Sequence, residues 1–188
     1  MNGLYEAAHE IKLFCDKRGW KFCCIGGLAL VRWGEIRQTQ DVDLVLLTQF
    51  DDARFVDELL GAFEPRLDNP REFALQNRIV LLRASNGVPL DISLGGLPFE
   101  EAMIHRATPF AFLSGVEIPT ASAEDLIATK CFADRTRDWA DVEGILKRQL
   151  GKLNWRQIIS ELSMLCELKE APEIVDRLLE MRDQLAAE

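Results

Sequence analysis

The 188-residue sequence has no apolar run long enough to cross a membrane. A membrane-spanning helix needs roughly 20 consecutive apolar residues, and the runs found here are far shorter. The first six residues, Met-Asn-Gly-Leu-Tyr-Glu, also lack the basic segment and the apolar segment that form a signal peptide. We therefore predict a cytoplasmic protein without a membrane partner.

Closely spaced cysteine pairs are also missing. The five cysteines include no C-x-x-C pair, and their number is odd. Cys23 and Cys24 lie in a predicted buried strand, where cysteine behaves as a small hydrophobic residue. We expect all five to be reduced thiols, as is usual in the cytoplasm.

Positive charge is scarce. The chain has 22 Lys and Arg residues against 31 Asp and Glu residues, which gives a net charge of −9. A broad nucleic-acid surface gains affinity by releasing counterions from phosphates, and this requires many cations. The charge argues against such a surface but leaves room for a local basic patch. It favours a nucleotide or a protein as substrate.

The composition is otherwise that of a globular protein, with 48% hydrophobic and 28% charged residues. The length allows one domain with a substantial core, with or without a small helical appendage. Periodicity predicts strands at residues 20–25, 42–47, 78–84 and 88–94, and helices at residues 4–14, 28–33, 53–63 and over most of the chain after Ser122. We therefore predict an α+β core over residues 1–120, with a helical region over residues 121–188 packed on it.

Two aspartates, Asp41 and Asp43, flank the first residue of the predicted strand 42–47. Alternate residues of a strand share a face, so both side chains lie on one face about 6–7 Å apart at the backbone. This pattern suits Mg²⁺, which takes one or two carboxylates together with substrate phosphate oxygens. A calcium loop is excluded because Val45 and Leu46 replace an oxygen ligand and a glycine. A solvated turn before a strand is the alternative.

Two glycines, Gly26 and Gly27, separate a predicted strand from a predicted helix. Glycine lets the backbone approach a ligand closely, and a helix N-terminus offers free N–H groups to phosphate. Leu28 and Leu30 exclude the dinucleotide-binding fingerprint, and no Gly-Lys-Ser/Thr follows to form a P-loop. A plain turn between strand and helix is the alternative to a phosphate site.

A third carboxylate, Asp91, interrupts the apolar strand predicted at residues 88–94. A buried unpaired carboxylate is costly, so it should be protonated, paired or bound to metal. In a two-metal site, one acid can also orient an attacking hydroxyl and accept its proton. The alternative is an edge-strand residue that faces water.

A group of charged residues in the C-terminal half has helical spacing, with offsets of 0, 4, 7, 8 and 11. Its members are Lys130, Asp134, Arg137, Asp138 and Asp141. They share one face if the helix runs unbroken. The alternative is a solvent-exposed face with i,i+4 ion pairs, in which Thr136 or Asp138 caps a second helix.

Together these residues resemble a known signature. Gly26-Gly27, thirteen residues and then Asp41-Val42-Asp43-Leu44 are similar to the polymerase-β-like nucleotidyltransferase superfamily. Within it, Arg37-x-Thr39-x-Asp41-x-Asp43 and Lys130-x₆-Arg137-Asp138-x₂-Asp141 resemble AbiEii-type and related minimal bacterial nucleotidyltransferases. Some of these are toxins of toxin–antitoxin pairs. The resemblance covers about residues 20–146.

The resemblance implies a mixed β-sheet flanked by helices, with a C-terminal helical bundle. It implies a transferase that moves an NMP from an NTP to an acceptor hydroxyl and releases pyrophosphate. Asp41, Asp43 and Asp91 would be the catalytic carboxylates and the ligands of Mg²⁺ or Mn²⁺. The acceptor (tRNA, protein or a small molecule) is not encoded in these motifs. A toxin-like member would have a cognate antitoxin or toxin partner.

The resemblance also assigns nucleotide binding. We predict six residues for this role: Gly26, Gly27, Arg37, Lys130, Arg137 and Asp138. Gly26 and Gly27 would form the turn at the triphosphate, and Lys130 would contact a phosphate. Arg37 would pair with an aspartate of the Asp-x-Asp motif or hold the loop before it.

One position departs from the family pattern. Many members have Ser or Thr directly after the glycines, where the hydroxyl contacts phosphate, but this chain has Leu28. Phosphate would then be held by backbone N–H groups, metal and a cation. The departure leaves open a catalytically silent binding module, acting as an antitoxin or nucleotide sensor. A third hypothesis is a kinase that passes the γ-phosphate at the same site.

Overall fold

The computed structural model describes residues 2–50, 52–113 and 115–187. The chain forms two compact units. The first, which we call the sheet unit, comprises Met1–Leu28 and Gln38–Ala121. The second, the helical unit, comprises Ala29–Arg37 and Ser122–Glu188. No described helix has both the length and the apolar character that a membrane span requires.

The sheet unit contains seven strands in a single mixed sheet with the order β3-β4-β5-β2-β1-β7-β6. The strands are β1 Phe22–Cys24, β2 Val42–Leu47, β3 Glu64–Pro65, β4 Ile79–Arg83, β5 Pro89–Gly95, β6 Thr108–Leu113 and β7 Val116–Thr120. β2 runs parallel to β5, and β1 runs parallel to β7. The other pairs are antiparallel. The predicted α+β class with a mixed sheet is confirmed.

Five helices accompany these strands in the chain. They are α1 Asn2–Asp16, α2 Gly26–Trp33, α3 Arg54–Ala62, α4 Pro70–Asn77 and α5 Pro98–Arg106. Helix α2 starts at Gly26 rather than at the predicted residue 28 because the glycine pair itself forms its first turn. The predicted hairpin over residues 78–94 forms as β4 and β5, and Gly87 adopts a φ of 81° in the connecting turn.

Alternation along β2 and β5 separates a core face from a polar face. The core residues of these strands and β4 are Val42, Leu44, Leu46, Val80, Leu82, Leu90, Ile92 and Leu94, which pack in one cluster with side chains of α1, α3 and α4. Asp43 and Asp91 belong to the intervening positions and are half-buried. Because successive side chains point to opposite faces, the two aspartates lie on the face away from this core.

Besides the last residues of α2, the described part of the helical unit contains four α-helices and a short 3₁₀ turn. They are α6 Ala123–Ala133, α7 Thr136–Gln149, the 3₁₀ turn Leu150–Lys152, α8 Trp155–Lys169 and α9 Glu173–Ala186. The hydroxyl of Ser122 accepts a hydrogen bond from the Asp125 amide at 3.1 Å, so the predicted start of this region is a capped helix.

The unbroken helix considered for Lys130 to Asp141 is wrong. Helix α6 ends at Ala133, and Asp134 adopts a left-handed φ of 57°. Aspartate tolerates this conformation better than most residues, so the chain reverses here and α7 begins at Thr136. Neither Thr136 nor Asp138 caps α7, because its N-cap residue is Arg135.

All five cysteines are buried and free. Burial raises the pKa of the Cys15 thiol to about 12, with a smaller contribution from the neighbouring Asp16. Cys15 is therefore protonated at neutral pH, and the expectation of reduced thiols agrees with this environment.

Candidate active site

The structure brings the three predicted carboxylates together in the sheet unit. One oxygen each from Asp41, Asp43 and Asp91 lies within 4.8 Å of the other two. The parallel pairing of β2 and β5 sets Asp43 directly opposite Asp91, and Asp41 precedes Asp43 by two residues. We call these three residues the carboxylate cluster. The positions of Asp43 and Asp91 follow from strand register, and Asp41 lies in the bend just before β2.

A threonine that the sequence analysis left without a role orients the first carboxylate. Thr39 Oγ1 donates a hydrogen bond to Asp41 Oδ1 at 2.8 Å. The two residues are also two positions apart in the chain, so the contact is local. Thr39 belongs to the motif Arg37-x-Thr39-x-Asp41-x-Asp43, but spacing alone does not show which oxygen accepts the hydrogen bond from its hydroxyl. The bond restricts the rotation of the Asp41 carboxylate.

The glycine turn packs directly against this cluster. Gly26 has a φ of +59°, and a Cβ at this position would overlap the Asp43 carboxylate. A Cβ on Gly27 would overlap the Thr39 side chain. Glycine is therefore required at both positions for close approach, and at Gly26 for backbone conformation as well.

The next residue explains the departure from the family pattern. Leu28 is fully buried and belongs to the core of the sheet unit. Its side chain occupies the core, so a hydroxyl at this position is not available to a phosphate. The first N–H groups of α2 are the remaining donors that the turn supplies, and a helix N-terminus attracts anions.

An arginine that the sequence analysis missed contacts the third carboxylate. Arg66 Nη2 donates to Asp91 Oδ1. Arg66 directly follows the two-residue strand β3, and its amide donates to the Leu81 carbonyl at 3.0 Å. Leu81 in turn pairs with Asp91. Arg66 is 25 residues from Asp91 in the chain, and no motif links them, so the sequence carried no signal for this contact.

Burial and two neighbouring charged groups shift the pKa of the Asp91 carboxyl. Burial raises the pKa of the Asp91 carboxyl, the Arg66 guanidinium lowers it, and the nearby Asp41 carboxylate raises it. The net effect is an increase above the ordinary value. The three clustered carboxylates are an all-oxygen donor set. This is the donor set that Mg²⁺ and Mn²⁺ prefer, so the residues fit such an ion.

A second charged group lies within the helical unit, which we call the ion-pair cluster. Lys130 Nζ donates to Asp138 Oδ1 at 3.2 Å and to Asp141 Oδ2 at 2.6 Å. Arg37 binds both oxygens of Asp141, at 2.7 and 3.0 Å. Arg135 Nε donates to Asp138 Oδ2 at 2.5 Å. The cluster therefore joins the segment Ala29–Arg37 to α6 and α7.

Burial makes these ion pairs costly to disturb. Lys130, Asp138 and Asp141 are at most 7% exposed. Burial alone would raise the pKa of Asp141, but hydrogen bonds from Arg37 and Lys130 outweigh it and lower the pKa below its ordinary value. Removing one partner from a buried pair leaves an uncompensated charge. The carboxylates of this cluster are saturated with cations.

The structure thus separates the predicted nucleotide-binding residues into two groups. Gly26 and Gly27 lie in the sheet unit beside the carboxylate cluster. Arg37, Lys130 and Asp138 lie together in the ion-pair cluster of the helical unit. The remaining residue, Arg137, is exposed on α7.

Comparison with known proteins adds a family match. The model of the family described as "Nucleotidyl transferase AbiEii toxin, Type IV TA system" matches residues 21–163, which is more than half of the chain. No curated protein gives a significant match.

Solved structures also resemble the chain. An antigenic nucleotidyltransferase-like protein from Paracoccidioides brasiliensis has a TM-score of 0.55 and 15% sequence identity, and the match covers 93% of this chain and 91% of that one. A solution structure of the antibiotic-resistance factor ANT(2'')-Ia has a TM-score of 0.44 and 19% identity, covering 99% of this chain and 95% of that one. The first likeness shows a shared nucleotidyltransferase-like fold.

Proposed function

We propose that this chain, which belongs to the AbiEii nucleotidyltransferase family, moves an NMP from an NTP to an acceptor hydroxyl in a reaction that depends on a divalent cation. The observation that carries the proposal is the carboxylate cluster, in which three oxygens lie within 4.8 Å of one another beside a glycine turn. Clustered acids on strands lack a folding benefit, because they repel one another. Binding of a cation and a nucleotide would account for the placement of these three acids.

Asp41, Asp43 and Asp91 would hold Mg²⁺ or Mn²⁺. When bound, the cation would neutralise charge on the phosphate oxygens of the nucleotide as the reaction proceeds. The chain prepares one of these ligands before binding, because the Thr39 hydroxyl restricts the Asp41 carboxylate. A ligand that is already oriented loses less conformational freedom when the complex forms.

The chemical step is a displacement at the α-phosphorus. The oxygen of the acceptor hydroxyl forms a bond to the α-phosphorus, the bond to the bridging oxygen of the β-phosphate breaks, and pyrophosphate leaves. We assign Asp91 as the group that accepts the hydroxyl proton. In a two-metal site, one carboxylate can orient the attacking hydroxyl and accept its proton.

The glycine turn would bind the triphosphate through backbone N–H groups. Because Gly26 and Gly27 have no side chains, the turn packs closely against Asp43 and Thr39, and the N-terminus of α2 beside it favours negative charge. Leu28 lies in the core, so the turn acts through backbone alone.

For the ion-pair cluster we propose a positioning role. Arg37 is fixed by Asp141, and Asp141 is fixed by Lys130. Arg37 lies two residues before Thr39 and four before Asp41 in the chain, so the bidentate pair anchors the start of the segment that carries both. Arg137 is exposed on α7, and its nucleotide-binding role stays a prediction.

The proposal is tested by transfer of label from each α-³²P NTP, with Mg²⁺ or Mn²⁺, into tRNA and protein of a bacterial lysate. We expect label on a macromolecule with the wild type and a loss of at least about 10²–10³-fold with Asp43→Asn, the range for removal of one transition-state contact. The matched control is Asp57→Asn, which removes the same charge from an exposed ion pair with Arg71. Transfer retained by Asp43→Asn would overturn the mechanism.

The products separate this reaction from a kinase at the same site. Nucleotidyl transfer releases pyrophosphate, whereas γ-phosphate transfer releases a nucleoside diphosphate. A catalytically silent antitoxin or nucleotide sensor is the second candidate, favoured by the absence of a hydroxyl at Leu28. No label together with no metal-dependent NTP binding in calorimetry would select it.

The family description adds a partner to the proposal. The matched family is one of toxins in type IV toxin–antitoxin systems. We propose that the protein is toxin-like and is paired with a cognate antitoxin. Induced expression of the wild type in bacteria would then slow growth, and expression of Asp43→Asn would not. Equal growth inhibition by both would separate toxicity from nucleotidyl transfer.

A further inference from the structure

Arg66 contacts the carboxylate cluster and is not accounted for by the reaction above. Its Nη2 donates to Asp91 Oδ1, while its Nε is buried without a hydrogen-bond partner among the described residues. The Arg66 side chain is 22% exposed. Arg66, Leu81, Asp91 and Asp43 form one row across four adjacent chain segments of the sheet. The guanidinium therefore reaches the cluster from the β3 side of the sheet.

A second arginine of the same unit shows what a purely structural arginine looks like. Arg78 Nη2 donates to Thr48 Oγ1 at 2.8 Å and to the Leu94 carbonyl at 2.7 Å, and its Nη1 donates to the Phe50 carbonyl at 3.4 Å. These acceptors are neutral. Arg66, by contrast, is bonded to a charged group of the cluster, so its contact is the one that a second cation would disturb.

The Arg66 guanidinium and a bound divalent cation would compete for the Asp91 carboxylate, because both are positively charged. Arg66 contributes a positive charge that is bonded to the Asp91 carboxylate. A divalent cation on the carboxylate cluster would need an oxygen of Asp91 and would be repelled by the guanidinium bonded to it. Arg66 is partly exposed, so its side chain has a route to solvent when it is displaced.

We propose that Arg66 is the resident counter-ion of the carboxylate cluster: it balances Asp91 while the site is free of metal and competes with the divalent cation for that carboxylate. The inference rests on the proposed function, since it concerns the same metal ligands. It makes metal occupancy depend on release of Arg66. Arg66 thus stabilises the carboxylate cluster when no metal is bound, and it weakens metal binding.

The test is direct titration with Mn²⁺, followed by electron paramagnetic resonance and by calorimetry, in the absence of nucleotide. We expect Arg66→Gln to bind Mn²⁺ about 5- to 10-fold more tightly than the wild type, which equals about 1–1.4 kcal/mol. Arg66→Lys keeps the positive charge, so its affinity should stay within about twofold of the wild type, a difference of about 0.4 kcal/mol.

The matched control is Arg71→Gln, which removes the same charge from an exposed ion pair with Asp57. Its Mn²⁺ affinity should equal that of the wild type. A merely structural role for Arg66 predicts the opposite sign, because a disordered Asp91 would bind Mn²⁺ more weakly. Equal or weaker binding by a folded Arg66→Gln protein would overturn the proposal. If Arg66→Gln does not fold, a change of about tenfold or more in Arg66→Lys overturns it.

The two proposals fail in different ways. No Mn²⁺ binding by the wild type or by any variant, both without and with an NTP present, would remove metal dependence and with it the proposed function. Mn²⁺ binding that is lost in Asp43→Asn but is unchanged in Arg66→Gln would leave the function intact and overturn only the competition.

Discussion

The two charged clusters use the same residue types with opposite balance. The carboxylate cluster places oxygens of three half-buried aspartates within 4.8 Å of one another, and Arg66 bonds to one of them, Asp91. In the ion-pair cluster, each of the two buried aspartates bonds to two cations. The first cluster is a candidate cation site, and the second is a network of ion pairs. The balance of charge, rather than the presence of aspartates, separates a ligand site from a structural one.

The largest effect on stability should come from the saturated cluster. Lys130→Met leaves Asp138 and Asp141 buried with less compensation, and we expect the free energy of unfolding to fall by about 3–5 kcal/mol. Asp43→Asn should instead change it by no more than about 1 kcal/mol at low salt without divalent cations, since the side chain is only half-buried and its removal lowers the repulsion within the carboxylate cluster. Urea denaturation of both variants measures the contrast. A loss of stability in Asp43→Asn equal to that in Lys130→Met would erase the distinction.

A smaller effect is expected at the glycine turn. Gly26→Ala imposes a strained backbone and pushes Cβ onto the Asp43 carboxylate, so we expect about 1–3 kcal/mol of destabilisation and loss of metal binding. The matched control is Gly61→Ala in α3, where a Cβ meets nothing within 4 Å. There the same change should stabilise by about 0.4–1 kcal/mol. Thermal unfolding with and without Mn²⁺ tests both, and unchanged metal binding in Gly26→Ala would contradict the packing argument.

The smallest effect concerns pH. The pKa of Asp141 is lower in the folded protein than in the unfolded chain, because the hydrogen bonds from Arg37 and Lys130 outweigh burial. The folded state is therefore favoured above the unfolded pKa of about 3.9, and this contribution is lost as pH falls through the folded value. In Asp141→Asn, stability measured between pH 7 and pH 2 should fall less steeply below about pH 4 than in the wild type. An identical slope in both proteins would show that Asp141 does not titrate with folding.

The sequence predicted the carboxylate cluster well because its geometry is encoded in short patterns. Asp41 and Asp43 share a face by strand alternation, and Asp91 stood out as a charge in an apolar strand. The α+β class and the nucleotidyltransferase resemblance are confirmed by the sheet and by the family match. The metal-binding roles of Asp41, Asp43 and Asp91 and the nucleotide-binding roles of the other predicted residues stay predictions.

The missing parts depend on contacts that no local pattern encodes. Arg66 reaches Asp91 through the register of a two-residue strand. The ion-pair cluster needs Arg37, which is 104 residues from Asp141. The sequence left open whether Lys130 and Asp141 share one helix, because a single left-handed residue at Asp134 leaves the spacing of polar and apolar residues intact on both sides.

The burial of every cysteine has a practical consequence. Because the five native thiols are inside the fold, a thiol reagent would find no reactive partner on the folded wild-type protein at neutral pH. Leu168, which is 72% exposed, offers a position for one introduced cysteine. A fluorophore or spin label could then be attached at a single chosen site without first removing any native residue. Because no native cysteine would take up the label, the signal would come from the introduced site alone in measurements of nucleotide and metal binding.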